Sequence, residues 1–245
     1  MTVLAKSRTA IHNEASDPRG ACWRRWEPHI HTPGTAMNDG FGSTSMDVYL
    51  SALESAKPTI EALGVTDYLL TRRYREVCDA KTCGRLPAVK LLFCNIEMRL
   101  SIETKAGKGV NLHILVAPTD PEHVDQIERF LGKLTFRYGG DNFACTESDL
   151  RRLGRFHQPS ISDDEAALKA GVNQFKVDFQ QLRKLYEETE WIQANTVIAV
   201  AGSSNDGTAG LQSEGSGFAA LRKEIESFAN IIFTATPRNI AFWLG

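Results

Sequence analysis

The chain has 245 residues, 42% hydrophobic and 24% charged, with a formal net charge of -2, and is long enough to bury roughly 70–75% of its unfolded surface. That composition excludes a low-complexity or fibrous chain, and without an apolar run near 18 residues no membrane partner is expected. No Lys/Arg run reaches the density of a basic nucleic-acid arm. The nearest stretches, "LRRLGRFH" (150–157) and "TRRYRE" (71–76), read as solvated helix faces. Cys22, Cys78, Cys83, Cys94 and Cys145 lack CxxC spacing and read as free thiols in a reducing cytoplasm.

Residues 1–20 are polar and aperiodic and read as an N-terminal arm, leaving 21–245 as a single domain. "CWRRWEPHIHT" alternates as a strand ending at Pro33-Gly34, and "GTAMNDGFGST" is loop. A helix capped by Ser45 follows, broken or restarted at Pro58 within "SMDVYLSALESAKPTIEAL", and then the short apolar strand "GVTDYLL". "TRRYREVCDAKTCG" predicts a helix ended by Gly84, "AVKLLFCNIEMRLSIET" a strand, and "KGVNLHILVAP" a strand buried on both faces. "DPEHVDQIERFLGKL" predicts a helix, and 136–176 gives no clear period. "FKVDFQQLRKLYEETEWIQ" reads as one helix, "NTVIAVAG" as a buried strand and "SSNDGTAGLQSEGSG" as a long loop. "FAALRKEIESFA" and "NIIFTAT" complete the chain as helix and strand. Strands separated by helices predict an α/β fold with a mainly parallel sheet or barrel.

The polar residues in or beside these strands carry the chemistry. In a parallel α/β barrel, strand ends meet at one mouth. His29 and His31 close the first strand, Asp67 closes "GVTD", Glu97 and His113 interrupt apolar strands, and Asp206 lies in the loop after "VIAVAG". Two His at i and i+2 on a strand point the same way and suit one metal ion. Glu97 and Asp206 can complete its shell or bridge two ions. His/carboxylate sets favour zinc, manganese or iron. His123, in the first turn of a helix, reads as surface; His12 falls in the arm, and Cys94 has no evident base.

In this order, "HIHT", "GVTDYLL", "FCNIEMRL", "NLHILV" and "AGSSNDGTAG", the chain resembles the PHP (polymerase and histidinol phosphatase) domains over about residues 22–240. "HIHT" resembles their opening HxHT, "GVTDYLL" their TDH segment, and "AGSSNDGTAG" their closing GSDxH loop. The resemblance implies a distorted (β/α)7 TIM-like barrel holding two divalent metal ions. His29, His31 and Asp206 would hold one, Glu97 would bridge, and His113 would hold the second. Tyr68 stands where TDH has its histidine, Gly207-Thr208 replace that of GSDxH, and Met37, Asn38 and Asp39 occupy a further histidine position. A third metal is therefore not expected. His157 is a poor fourth-strand ligand, and "GVNQFKVD" puts Asn173 or Lys176 there instead.

The implied activity is metal-assisted hydrolysis of a phosphoester, with DNA or RNA among the substrates. Asp67 would orient a ligand imidazole or accept a proton, Tyr68 would contact the phosphate, and Lys176 or an Arg from 151–155, such as Arg155, would clamp substrate oxygens. Two other functions fit the same residues: a degenerate barrel that binds a partner ATPase, and a small-molecule phosphatase. "TPRNIAFWLG" also resembles the exit from PHP domains fused to SMC- or AAA-like ATPases, some of them antiviral defence proteins, so the chain is expected to be part of something longer.

Overall fold

Apolar strands and amphipathic helices build one mixed sheet with helices packed against it. The computed structural model describes residues 23–37, 39–104, 107–211 and 215–234. The expected arm, with His12, and Cys22, Asn38 and the "TPRNIAFWLG" segment lie outside the described residues. The strands of the main sheet are β1 (Arg25–His31), β2 (Ile60–Tyr68), β3 (Leu91–Glu103), β4 (Gly109–Val116), β7 (Thr196–Ala201) and β8 (Ile231–Phe233), in the order β1-β2-β3-β4-β7-β8. A separate hairpin joins β5 (Thr135–Tyr138) and β6 (Asp141–Ala144). Helices are α1 (Met46–Ser55), α2 (Arg72–Thr82), α3 (His123–Leu131), α4 (Glu147–His157), α5 (Asp164–Gln174), α6 (Phe179–Glu187), α7 (Glu190–Asn195) and α8 (Gly215–Phe228).

The α/β class is as expected, and the sheet is curled into a half-barrel. β1 and β8 are its edges and are not paired with each other among the described residues. Five strands run one way; β4 is antiparallel to both β3 and β7. The reason is local. Only residues 104–108 separate β3 from β4, and Thr104 N–H donates to Lys108 O across that turn. A parallel return needs a crossover of a dozen residues or more.

Several elements differ from expectation. Of the two outcomes expected at Pro58 the chain takes the break and not the restart: α1 ends at Ser55, and Ile60–Leu63 open β2, with Ala62 and Leu63 paired to both β1 and β3. The single helix expected over 175–193 is divided into α6 and α7, with Thr189 Oγ1 donating to Leu185 O at the break. The long loop after β7 holds a 3-10 turn at Thr208–Leu211, and α8 begins inside its expected end.

The unreadable middle contains the β5–β6 hairpin and the pair α4–α5. These two helices meet through Gly154 and Gly171; a Cβ on Gly171 would lie 1.7 Å from Leu150 O. The core lies between sheet and helices, with Leu63, Ile96, Ile114 and Ile198 facing side chains such as Val77, Phe130 and Leu182, all fully buried. Both arginine-rich stretches are ion-paired helix faces, as in Arg72–Glu165, Arg75–Asp125 and Arg152–Asp149. Cys78, Cys83, Cys94 and Cys145 are free thiols. Among the described residues no helix is long and apolar enough to cross a membrane.

Candidate metal centre

β1 is irregular just before its two histidines, of which His29 is exposed and His31 half-buried. Pro28 has no N–H for a ladder, and the β1–β2 register slips between Glu27 and Ile30. There the Pro28 carbonyl leans over β2 at Gly64, where a Cβ would lie 2.2 Å from its oxygen. Asn95 Nδ2 donates to the same oxygen at 2.8 Å. Beyond the slip His31 pairs with Thr66, and one step along, Tyr68, Glu97, His113 and Ala199 form a row across β2, β3, β4 and β7. His31 and Tyr68 are the last residues of β1 and β2, whereas Glu97 lies at the middle of β3. His113 joins them from the middle of the inverted β4, not from a strand end.

His29 Nε2 and His31 Nε2 are 3.3 Å apart, and stand 3.3 and 3.2 Å from Glu97 Oε2. Among the described residues this is the only group of three His, Cys, Asp or Glu ligand atoms within 4.8 Å of one another. Corners about 3.3 Å apart form the base of a tetrahedron whose centre lies about 2.0 Å from each, the bond length of zinc to imidazole nitrogen or carboxylate oxygen. The buried Glu97 Oε2 has no partner of hydrogen-bond geometry, an arrangement that costs free energy unless a cation completes it. Burial pushes the Glu97 carboxyl up in pKa, but the His29 and His31 imidazoles outweigh it and hold it well below the usual carboxylate range. The donor set therefore fits a divalent ion.

The surrounding hydrogen bonds fix the imidazoles. Thr35 Oγ1 donates to Asp67 Oδ1 at 2.8 Å and lies 3.4 Å from His31 Nδ1. The hydroxyl thus accepts from Nδ1–H, and the Nε2 lone pair faces the triangle. Asp67 stays outside the triangle. It also accepts from Ala36 and Tyr68 N–H, while burial raises its pKa. Tyr68 stacks on His31 at 5.2 Å and 16°.

Asn95, whose amide nitrogen is committed to Pro28, turns its Oδ1 to His113 Nδ1 at 3.0 Å. His113 Nε2 is left buried and unpartnered, and burial lowers the pKa of this imidazole to about 3 despite the adjacent Glu97 carboxylate. Phe233 of β8 covers this corner, 4.9 Å from the His113 ring and 5.8 Å from that of His29.

His113 and Asp206 are not in the compact group. Asp206 accepts from Ser203 Oγ, and its backbone oxygen accepts from Asn111 N–H at 2.8 Å. The second oxygen of Glu97 is engaged by Asn111 Nδ2 at 2.7 Å. Gly207 leaves no room for a side chain, since a Cβ would lie 2.3 Å from Ala201 O. Asp39 braces its own loop by accepting from Gly34 N–H.

Beside the triangle opens a cleft of about 710 Å³ lined by Arg99, Asn111, Phe136, Asn173, Lys176 and Asp206, among others. The segment after α5 is tied to β3 through Val177 N–H to Arg99 O at 2.9 Å and Ser101 N–H to Val177 O at 2.8 Å. That places Asn173 and Lys176 in the cleft. Lys176 Nζ donates to Asn173 O at 2.6 Å, and burial followed by the nearby Arg99 charge lowers its pKa. The Arg99 guanidinium lies 5.6 Å from the Tyr68 ring centre.

Arg155 pairs with Asp164 on α5 and does not line this cleft. His157 bonds Tyr138. His123, expected on the surface, is partly buried and bonded to the Tyr74 hydroxyl at 2.9 Å. Sequence reasoning missed Asn95, Arg99, Asn111 and Phe233. Strand alternation could have found three of them, since Asn95 and Arg99 flank Glu97 at two residues and Asn111 precedes His113 by two. The chain matches no known family profile and no curated protein.

Proposed function

We propose that the protein is a metal-dependent hydrolase of phosphoester bonds, with His29, His31 and Glu97 holding one divalent ion of zinc, manganese or iron. The reading rests above all on the near-equilateral triangle of two imidazole nitrogens and one carboxylate oxygen. The ion, when bound, supplies a water that ionises near neutral pH and a Lewis acid for a phosphoryl oxygen.

The chain's own residues do the rest. Glu97, kept as carboxylate, and His31, held through Thr35 and Asp67, present lone pairs in a fixed geometry. Arg99 and Lys176 bind the non-reacting phosphate oxygens, aided by Asn173. Tyr68, buried against the His31 ring, keeps it in place. His113, neutral and buried, offers its free nitrogen as a further ligand or as a proton acceptor at Nε2, and Asp206, which lines the cleft, is an additional carboxylate. A PHP-type (β/α)7 barrel is the architecture this reading implies, and the order of the ligands along the chain supports it.

Metal analysis with hydrolysis of bis(4-nitrophenyl) phosphate tests the reading, in wild type and in His29→Ala/His31→Ala. Metal-dependent turnover lost in the double variant is expected. Turnover that survives the substitutions or EDTA sinks the proposal, and metal binding without turnover turns it into a binding or assembly module.

A further inference from the structure

The cleft holds one aromatic side chain, Phe136, that begins a row of rings which hydrolysis of a small phosphoester does not require. Phe136 on β5 lines it together with Arg99 and Lys176. Two residues on, and so on the same side of the strand, the Tyr138 ring lies nearly parallel to that of Phe136, 6.3 Å away at 11°. Tyr138 then meets Phe156 edge-on at 5.9 Å. Tyr138 is 37% exposed and Phe156 46%, so the row runs from the cleft out to solvent. Packing of the hairpin accounts for the contact of Phe136 with Phe175 at 5.6 Å. The Tyr138 hydroxyl is held by His157 Nδ1 at 3.2 Å, yet this second, parallel ring remains 37% exposed.

The cleft also carries three cations, Arg99, Lys108 and Lys176, against two carboxylates. Among the described residues neither Arg99 nor Lys176 forms a salt bridge, and both are held in place by Asn173. Of the carboxylates that share the cleft, Glu103 and Asp206, the latter is engaged by Ser203. Cations beside a row of ring faces are the pairing that tracks a phosphate backbone with its bases unstacked.

We propose that this cleft takes single-stranded nucleic acid, with backbone phosphates at Arg99 and Lys176 and successive bases on Phe136 and Tyr138. The proposal rests on the hydrolase reading for the position of the phosphate to be cleaved. A duplex is disfavoured because its base faces are covered by their own neighbours. A mononucleotide can use only one of the two rings.

The test measures fluorescence anisotropy of a labelled six-residue oligothymidylate with the full chain in EDTA, competed by the same sequence as duplex and by thymidine monophosphate. Wild type is compared with Phe136→Leu, which keeps apolar packing against Phe175, and with Tyr138→Ala at the exposed ring. Single strand is expected to bind at least about tenfold more tightly than either competitor. Each variant is expected to weaken it by about fivefold or more while leaving metal-dependent hydrolysis of bis(4-nitrophenyl) phosphate unchanged. Equal binding by wild type and variants, equal competition by duplex, or no binding at all overturns the proposal. Failure of the hydrolase reading shows separately, as absent metal or absent turnover of the small diester.

Discussion

His113 links residue chemistry to stability. Its imidazole has a folded pKa of about 3 against an ordinary value of 6.5, and Glu97 also lies below its ordinary 4.5. The unfolded chain therefore binds more protons than the folded one between these limits. The stability from neutral His113 is complete above about pH 6.5 and is lost as pH falls toward 3, with Glu97 adding to the loss below about 4.5. In metal-free protein, urea midpoints from pH 8 to 5 should fall for wild type and change less for His113→Gln. Parallel slopes would contradict the assignment.

The support of His31 is tested by Thr35→Val, which removes the hydroxyl between His31 and Asp67 and nearly keeps the volume. Metal affinity should drop about 10–100-fold in calorimetric titration, and an unchanged affinity would remove Thr35 from the site. Glu97 and His113 were legible because polar side chains inside apolar strands demand partners. Alternation puts Asn95 and Arg99 on the face of Glu97 and Asn111 on that of His113, but their roles were not legible, because their partners lie on other elements and appear only in the folded chain.

At the scale of elements, glycines decide where backbones meet. Gly64 lets the Pro28 carbonyl lie over β2, which sets the bulge before His29; Gly171 lets α5 lie against α4 far from the triangle. Gly64→Ala and Gly171→Ala should each cost about 1–3 kcal/mol through overpacking, read as a fall in Tm of roughly 2–4 °C per kcal/mol for a chain of this size. Gly64→Ala alone should also weaken metal binding. If both variants bind metal as wild type does, the bulge does not position His29. The same glycines explain what could not be read. Gly154 and Gly171 interrupt the apolar period of α4 and α5 at their contact, and "KPTIEAL" is rich in helix formers yet becomes strand because pairing with β1 and β3 outweighs local propensity.

Across the whole molecule, the curl of the sheet brings β1, β3, β4 and β8 around one mouth, with Phe233 against both His29 and His113. The strands themselves were legible as apolar runs. The inverted β4 and the edges, unpaired among the described residues, were not, because they depend on a short turn and on long-range pairing. An ion held by β1 and β3 ties these strands across β2. At one hundred times Kd it should stabilise the fold by about 2.7 kcal/mol, a rise in Tm of roughly 5–10 °C that EDTA reverses.

The most direct test is metal content per chain by mass spectrometry after loading with zinc or manganese and desalting, for wild type, Glu97→Gln and His29→Ala/His31→Ala, each checked for folding by circular dichroism. One tightly held ion in wild type and near none in the folded variants is the predicted result. The same content in all three would contradict the metal centre.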